Sequence, residues 1–523
     1  MREMYFYIVF SAILLSAAYL CFNDLTLRPM HHDEGVFGWF RENIYNACFG
    51  QGAARLDYGN YAGICASSAS GYCVMGYPLG PLKRYSELCG RSYSYDPKYH
   101  GPFAYIVGAW VFSVFGISDY SNRAPGCIFY LATIYILLFL RKRMGDYGVL
   151  SSAALIAYSP SMAYYSQQVL FDIFFAFFTL GSVVCASKLL ETGKAGWLYL
   201  GAANLSFLYT VKESAVIFTA ICAGYCALYA VWKLKKGEKI QGERANISAA
   251  VTPRTLLGSA AVFLVVYSFF YSNMFTNMQL LEKSVPEGIA SWLKTSSEWT
   301  GHFKPFDYYL SLMWEFEIAI ALLSITSVLA FRNNWARWCA FWAAATICIY
   351  SEMPYKTPGN IIAMTLPLAL LAGTGINSIA AGLQGWKKIL PAAVILCLLV
   401  HSYLLAWDVN YVRYADPGNR LAYVASLKSY DSLVADIKAS ADLFSGKDTV
   451  IAVASEQYWP LPWSLRGYRL LYSGGKRSDP LVISARGDYS DIAPGMTDMY
   501  GPPRRYEIRQ NVYLYVYSWK RGL

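Results

Sequence analysis

Apolar stretches recur through most of the chain, at about 4–22, 124–140, 147–164, 172–190, 196–211, 214–232, 255–275, 308–331, 336–351, 359–380 and 387–406. A helix rises 1.5 Å per residue, so about twenty apolar residues cross a hydrocarbon layer of about 30 Å. The pattern predicts about eleven transmembrane helices. The charges between them test the order. Arg141, Lys142 and Arg143 follow the second stretch, Lys188 and Lys194 the fourth, and Lys233, Lys235, Lys236, Lys239 and Arg244 the sixth. Arg332 and Arg337 follow the eighth, and Lys387 and Lys388 the tenth. With the N-terminus inside, all of these fall on the cytoplasmic side, as the positive-inside rule asks.

The segment Phe103 to Gly116 is apolar but short for a span. Counting it as one would invert every later loop and put Arg141 to Arg143 outside. It is therefore expected to be an interfacial helix within a first outer loop over 23–122. Inside that loop, 48–94 is rich in Gly, Ser, Tyr and Cys and has no helical period. Apolar spans stop after Trp407, and parity puts 407–523 outside the membrane. There, Leu421 to Phe444 has helical spacing, while Thr449 to Val453, Leu481 to Ile483 and Val512 to Val516 read as strands. The expected organisation is a transmembrane domain over 1–406 and a small extracytoplasmic α/β domain over 407–523.

Composition agrees: 56% of residues are hydrophobic and 15% charged. That is an integral membrane protein with some soluble mass. The net charge of +10 is carried largely by the inner loops, so it does not indicate nucleic-acid binding. The 44 tyrosines suit membrane interfaces and also stack on sugar rings. Of the twelve cysteines, eight lie in or beside apolar stretches and are read as buried small hydrophobes. Cys48, Cys65, Cys73 and Cys89 cluster in the first outer loop, and an even set in an oxidising compartment predicts two disulfides of open pairing.

Acids and cations at the outer ends of spans carry the candidate chemistry. His31, His32, Asp33 and Glu34 follow the first span. Asp33 could simply cap the helix that follows, and a capping carboxylate can still act as a base. Asp172 sits at the lip of the fourth span among phenylalanines. Lys212 and Glu213 lie between the fifth and sixth spans, where they read equally well as a solvated turn or as part of a site. Glu315 and Glu317 mark the outer end of the eighth, and Lys356 lies in a loop fixed by Pro354 and Pro358. Arg123 and Lys356 are candidate phosphate ligands. His31, His32 and His100 could join carboxylates around a divalent metal, though a lone His more often packs or hydrogen-bonds.

Taken in order, Asp33-Glu34, Tyr95 to Pro102, Phe115 to Arg123, Ser159-Pro160 with Tyr164 to Ser166, and Asp172 resemble the GT-C glycosyltransferase superfamily. That superfamily includes protein O-mannosyltransferases and lipid A aminoarabinose transferases. Lys212-Glu213, Tyr355 to Pro358 and Trp459 to Arg466 resemble later motifs of a prokaryotic branch named for flippase-associated activity.

The resemblance implies a GT-C fold and sugar transfer from a polyprenyl-phosphate donor to a glycan, lipid or protein acceptor, with inversion. It implies Asp33 as catalytic base or metal-facing acid, with Glu34 beside it, and Asp172 as the second acid. Arg123 and Lys356 would bind phosphate, and Lys212, Glu213, His100 and Glu315 would line the substrate site. The second outer loop has no Asp-x-Asp pair, and 48–94 looks like an insertion. No cofactor is required by the sequence; a divalent metal is the candidate. The alternative is a non-catalytic lipid-linked-sugar flippase or its subunit. A transporter should show internal repeats and mid-membrane polar groups. No repeat is visible, and the acids cluster at the outer ends, which favours the enzyme.

Overall fold

The structure is a computed structural model, and it describes residues 3–49, 73–74, 89, 92–93, 99–236, 247–248, 250–297, 303–331, 333–472 and 476–520. Two compact units emerge from the packing. The first comprises Met1–Leu25, Tyr95–Ala104 and Arg123–Arg413. The second comprises Thr26–Ser94, Tyr105–Asn122 and Tyr414–Leu523.

The first unit is a helical bundle. Among the described residues seven helices are long and apolar enough to cross a membrane: Glu3–Phe22, Asp119–Ala157, Phe171–Thr192, Ala215–Lys235, Pro253–Tyr271, Pro358–Gly382 and Gly385–Val412. An eighth arises if Tyr308–Phe316 and Ile318–Ala330, bent by 100°, count as one. This is fewer than eleven for identifiable reasons. Asp119–Ala157 runs through two of the expected spans and turns at Gly145, whose φ of 74° only glycine adopts freely. Gly196–Val211 is helical but has 16 residues, and the Trp-rich Asn334–Glu352 is less apolar. Phe103–Phe115 is a helix of 13 residues, about 20 Å long and too short to span.

The second unit is built on a six-stranded sheet of β1 (Cys73–Val74), β2 (Val450–Ala454), β3 (Arg469–Tyr472), β4 (Leu481–Ser484), β5 (Arg504–Arg509) and β6 (Val512–Ser518). Their order is β1-β3-β2-β4-β6-β5. The central β2 pairs in parallel with β3 and β4, and β6 runs antiparallel to both β4 and β5. Side chains alternate across the sheet. Ile451 and Val453 join Leu433, Ile437 and Trp463 in one core, while Ala452 joins Val482, Tyr500 and Tyr517 on the other face. The expected strands are present. β3 and β5 were not apparent in the sequence: β3 has four residues, and β5 reads as a charged run.

First-loop residues complete this core. Met30 and Phe112 pack into the same cluster as Ile451 and Trp463. The helix His32–Cys48 presents two glycines where contact is closest. A Cβ at Gly35 would meet Pro460 Cβ at 2.4 Å, and one at Gly38 the Trp463 ring at 2.8 Å. Arg41 is fully buried on this helix and donates to the Asn122 backbone carbonyl at 2.5 Å and to Asn122 Oδ1 at 2.9 Å. Burial pulls its pKa down to about 9.

Cys48 and Cys89 form a disulfide. Cys65 and the Cys73 side chain lie outside the described residues. The eight other cysteines are free, as expected, but only four are buried. Cys226, Cys348 and Cys397 are exposed, on helices of the bundle.

Candidate functional site

The polar heart of the first unit forms where three helix ends stop. Asp172 lies in the first turn of Phe171–Thr192, where a carboxylate is favoured by the helix dipole. Lys212 is the C-cap of Gly196–Val211, and its extended backbone (φ −154°, ψ 143°) ends the helix. Asn360 lies in the short 3-10 turn Pro358–Ile361, opened by a proline that needs no amide partner.

These three side chains converge. Lys212 Nζ lies 2.8 Å from Asp172 Oδ1 and 2.9 Å from Asn360 Oδ1. Asn360 Nδ2 donates to Thr357 Oγ1 at 3.2 Å and to Tyr309 OH at 3.3 Å, and Tyr309 OH donates to the Thr357 carbonyl at 3.0 Å. Gly359 makes room for the carboxylate: a Cβ there would lie 2.7 Å from Asp172 Oδ2. The Lys212 and Asp172 side chains are 12% and 15% exposed, so the turn is not solvated. Burial alone would lower the Lys212 pKa, but the charge of Asp172 and neighbouring groups more than offsets it, so the ammonium titrates above its usual value.

A second pair adjoins the first through residues 171–172 and 212–213. His100 Nδ1 lies 2.9 Å from Glu213 Oε2. A carboxylate only accepts, so Nδ1 carries the proton. The His100 ring meets Phe171 edge-on at 5.1 Å. His100 has φ 64°, and this left-handed turn delivers Gly101 onto the end of the Gly196–Val211 helix. The Gly101 amide donates to the Val211 carbonyl at 3.1 Å, and a Cβ at Gly101 would clash with the Thr210 carbonyl at 2.1 Å. His100, Asp172, Lys212 and Glu213 thus form one cluster. Asn360 and Tyr309 belong to it and were not singled out from sequence; the only signal was the Pro358-Gly359 break before Asn360.

Other expected ligands are used differently. Arg123 is buried and donates to the Leu25 carbonyl at 2.9 Å. Lys356 is buried and donates to the backbone carbonyls of Met353 at 2.5 Å and Lys304 at 3.1 Å. Burial lowers its pKa. Glu315 is exposed, while Glu317 is fully buried at the 100° break. Glu317 Oε1 accepts from Ser159 Oγ at 2.6 Å, Ser161 Oγ at 2.6 Å and the Ser161 amide at 2.9 Å. It therefore ties the bend to the Ser159-Pro160 turn.

In the second unit the N-cap of His32–Cys48 is His31, not Asp33. His31 Nδ1 accepts from the Asp33 amide at 3.0 Å, and its Nε2 donates to the Tyr423 carbonyl at 2.8 Å. Glu34, buried, closes a capping box by accepting from the His31 amide at 3.1 Å. Asp33 is thereby released from capping, with its side chain 44% exposed. Arg509 reaches His32 Nδ1 at 3.1 Å and Gln457 Oε1 at 2.7 Å. Among the described residues no three His, Cys, Asp or Glu side chains are grouped to hold a metal ion.

The comparisons with known proteins bear on this arrangement. A family model for dolichyl-phosphate-mannose-protein mannosyltransferase matches residues 99–251, which include His100, Asp172, Lys212 and Glu213. ArnT from Cupriavidus metallidurans, in the apo state and bound to undecaprenyl phosphate, superposes with a TM-score of 0.61 at 13% identity, over 99% of this chain and 98% of that one. The Archaeoglobus fulgidus oligosaccharyltransferase, tethered to an acceptor peptide containing the NVT sequon, superposes with a TM-score of 0.56 at 13% identity, over 97% of this chain and 74% of that one. No curated protein is significantly similar in sequence. The chain has the fold of the GT-C glycosyltransferase superfamily, an integral membrane architecture, which bears out the resemblance to that superfamily. None of these matches supports the flippase alternative.

Proposed function

We propose that this protein transfers a sugar from a polyprenyl-phosphate-linked donor to an acceptor hydroxyl or amine at the outer face of the cytoplasmic membrane. The observation that carries this reading is Lys212, a mostly buried ammonium held at 2.8 Å by Asp172 and at 2.9 Å by Asn360. Its similarity to a lipid-phosphate mannosyltransferase family over 99–251 supports it.

In the reaction, the acceptor heteroatom attacks the anomeric carbon, and the bond from that carbon to the phosphate oxygen breaks. The electron pair leaves with polyprenyl phosphate, which gains one negative charge. A single displacement inverts the anomeric centre. Lys212 is suited to that charge, because an oriented cation in a low-dielectric site stabilises a developing phosphate dianion without reorganising. Asp172 and Asn360 hold the ammonium in place, and His100 with Glu213 braces the adjoining backbone. The exposed Asp33 is the base proposed to accept the proton lost by the acceptor.

The test is transfer from a defined polyprenyl-phosphate sugar in liposomes. Lys212→Met should lower kcat/KM by roughly 10²- to 10³-fold, the range for losing one charge-stabilising donor. Lys212→Arg should recover part of it. Wild-type kcat/KM in Lys212→Met would remove Lys212 from the reaction.

A further inference from the structure

The Lys212 ammonium rests on Asp172 and Asn360, and the second of these has a right and a wrong way round. Either oxygen of a carboxylate can accept, but an amide carries a carbonyl oxygen on one side and an NH2 on the other. Turned over, Asn360 would aim N–H donors at a cation that only donates. The atom 2.9 Å from Lys212 Nζ is therefore Oδ1, and something has to keep it there.

Two hydroxyls lie on the Nδ2 side. Thr357 Oγ1, at 3.2 Å, can donate or accept by rotating its proton, so it satisfies either face of the amide. Tyr309 OH, at 3.3 Å, lacks that freedom, because its proton goes to the Thr357 carbonyl at 3.0 Å. A phenol whose proton is committed can only accept, and only the NH2 face of Asn360 can supply that bond. The ring carrying this hydroxyl is itself held. Tyr309 is fully buried in the first turn of Tyr308–Phe316 and meets the Tyr350 ring edge-on, with centroids 6.4 Å apart. The bonds thus run one way: Lys212 donates to Asn360, Asn360 to Tyr309, and Tyr309 to the Thr357 carbonyl. Each bond in such a series polarises the next.

We propose that Tyr309 is a positioning residue for sugar transfer. It fixes which face of the Asn360 amide meets Lys212, and through it the place of the ammonium beside the leaving phosphate. This rests on the transfer reaction proposed above. The bound donor already carries its phosphate charge, and a second charge develops only as the sugar leaves. A displaced ammonium therefore costs the chemical step more than it costs donor binding.

The test is transfer by the full-length protein in liposomes, from a defined polyprenyl-phosphate sugar. Tyr309→Phe keeps the ring and its packing and removes only the hydroxyl. It should lower kcat roughly three- to tenfold, the worth of one hydrogen bond, and leave the donor KM within about twofold. Asn360→Leu removes the amide, so adding Tyr309→Phe to it should cost less than about twofold more. In Asn360→Asp either oxygen accepts from Lys212 and no face needs choosing, so Tyr309→Phe should again cost less than about twofold; this background gives the answer if Asn360→Leu fails to fold. Wild-type kcat in Tyr309→Phe would overturn the proposal, as would a raised KM at unchanged kcat. A full further loss in the Asn360 backgrounds would also overturn it, since Tyr309 would then act without Asn360. Lys212→Met separates the two readings: wild-type turnover there would remove the transfer role of Lys212 and this proposal with it, while a large loss there beside an unaffected Tyr309→Phe would remove Tyr309 alone.

Discussion

Cutting the Asp172–Lys212 pair tests whether the cluster is a coupled unit. At an effective dielectric of about 20, charges 2.8 Å apart attract by roughly 6 kcal/mol. Taking both ions out of water costs several kcal/mol each, so the net worth of the pair is much smaller. Removing one partner is different, because the other stays about 85% buried with nothing to neutralise it. Lys212→Met should therefore destabilise by about 3 kcal/mol, the lower end of the range for broken buried pairs. Asp172→Asn should cost less, because Lys212 keeps Asn360 Oδ1. The double variant should lose clearly less than the two losses together, by about 2 kcal/mol. The assay is thermal unfolding of all four proteins in one detergent, compared as a double-mutant cycle. The pH dependence has a definite sign. Lys212 titrates above 10.5 when folded, so its contribution is complete below that value and is lost as the pH rises through its raised pKa. The coupling should thus be flat from pH 6 to 9. Additive melting shifts, or a coupling that fades within that window, would refute the pair as a buried unit.

Asp33→Asn should fold like the wild type, because His31 and Glu34 cap its helix, yet lower sugar transfer by roughly 10²-fold; unchanged turnover would exclude Asp33 as the base. Glu317→Ala should strand three buried donors at about 1–3 kcal/mol each and prevent accumulation of folded protein, while Glu317→Gln keeps an acceptor oxygen and should express; fluorescence size-exclusion profiles compare them. The Cys48–Cys89 bond closes a 41-residue separation, worth about 4 kcal/mol in the chain-entropy picture, so reductant should lower the melting temperature of wild type by more than that of Cys48→Ser/Cys89→Ser.

The sequence by itself determined the membrane architecture, because backbone in lipid must satisfy its own hydrogen bonds and runs of about twenty apolar residues do so as helices. It determined the strands at Val450, Leu481 and Val512 for a similar reason: a sheet core needs unbroken apolar runs, and these are short-range properties. It also marked Asp172, Lys212, Glu213 and His100, since ionisable residues at the ends of apolar spans are costly. What it left open was partnership. Lys212 and Glu213 read as readily as a solvated turn, and only the packing of three helix ends shows them buried and bound to Asp172 and His100. Glu315 and Glu317 are two positions apart in one segment, and composition cannot say which faces inward. The 100° break at Glu317 and the serines of the Ser159-Pro160 turn decided it. Lys356 and Arg123 were marked as phosphate candidates by type and position, and only the tertiary structure shows that both are buried and donate to backbone carbonyls. Met30 and Phe112 likewise belong to a core whose strands lie more than three hundred residues away in sequence, a contact no local pattern encodes. Residue types and spacing fix which groups are expensive to bury; the fold alone fixes which groups meet to offset that cost.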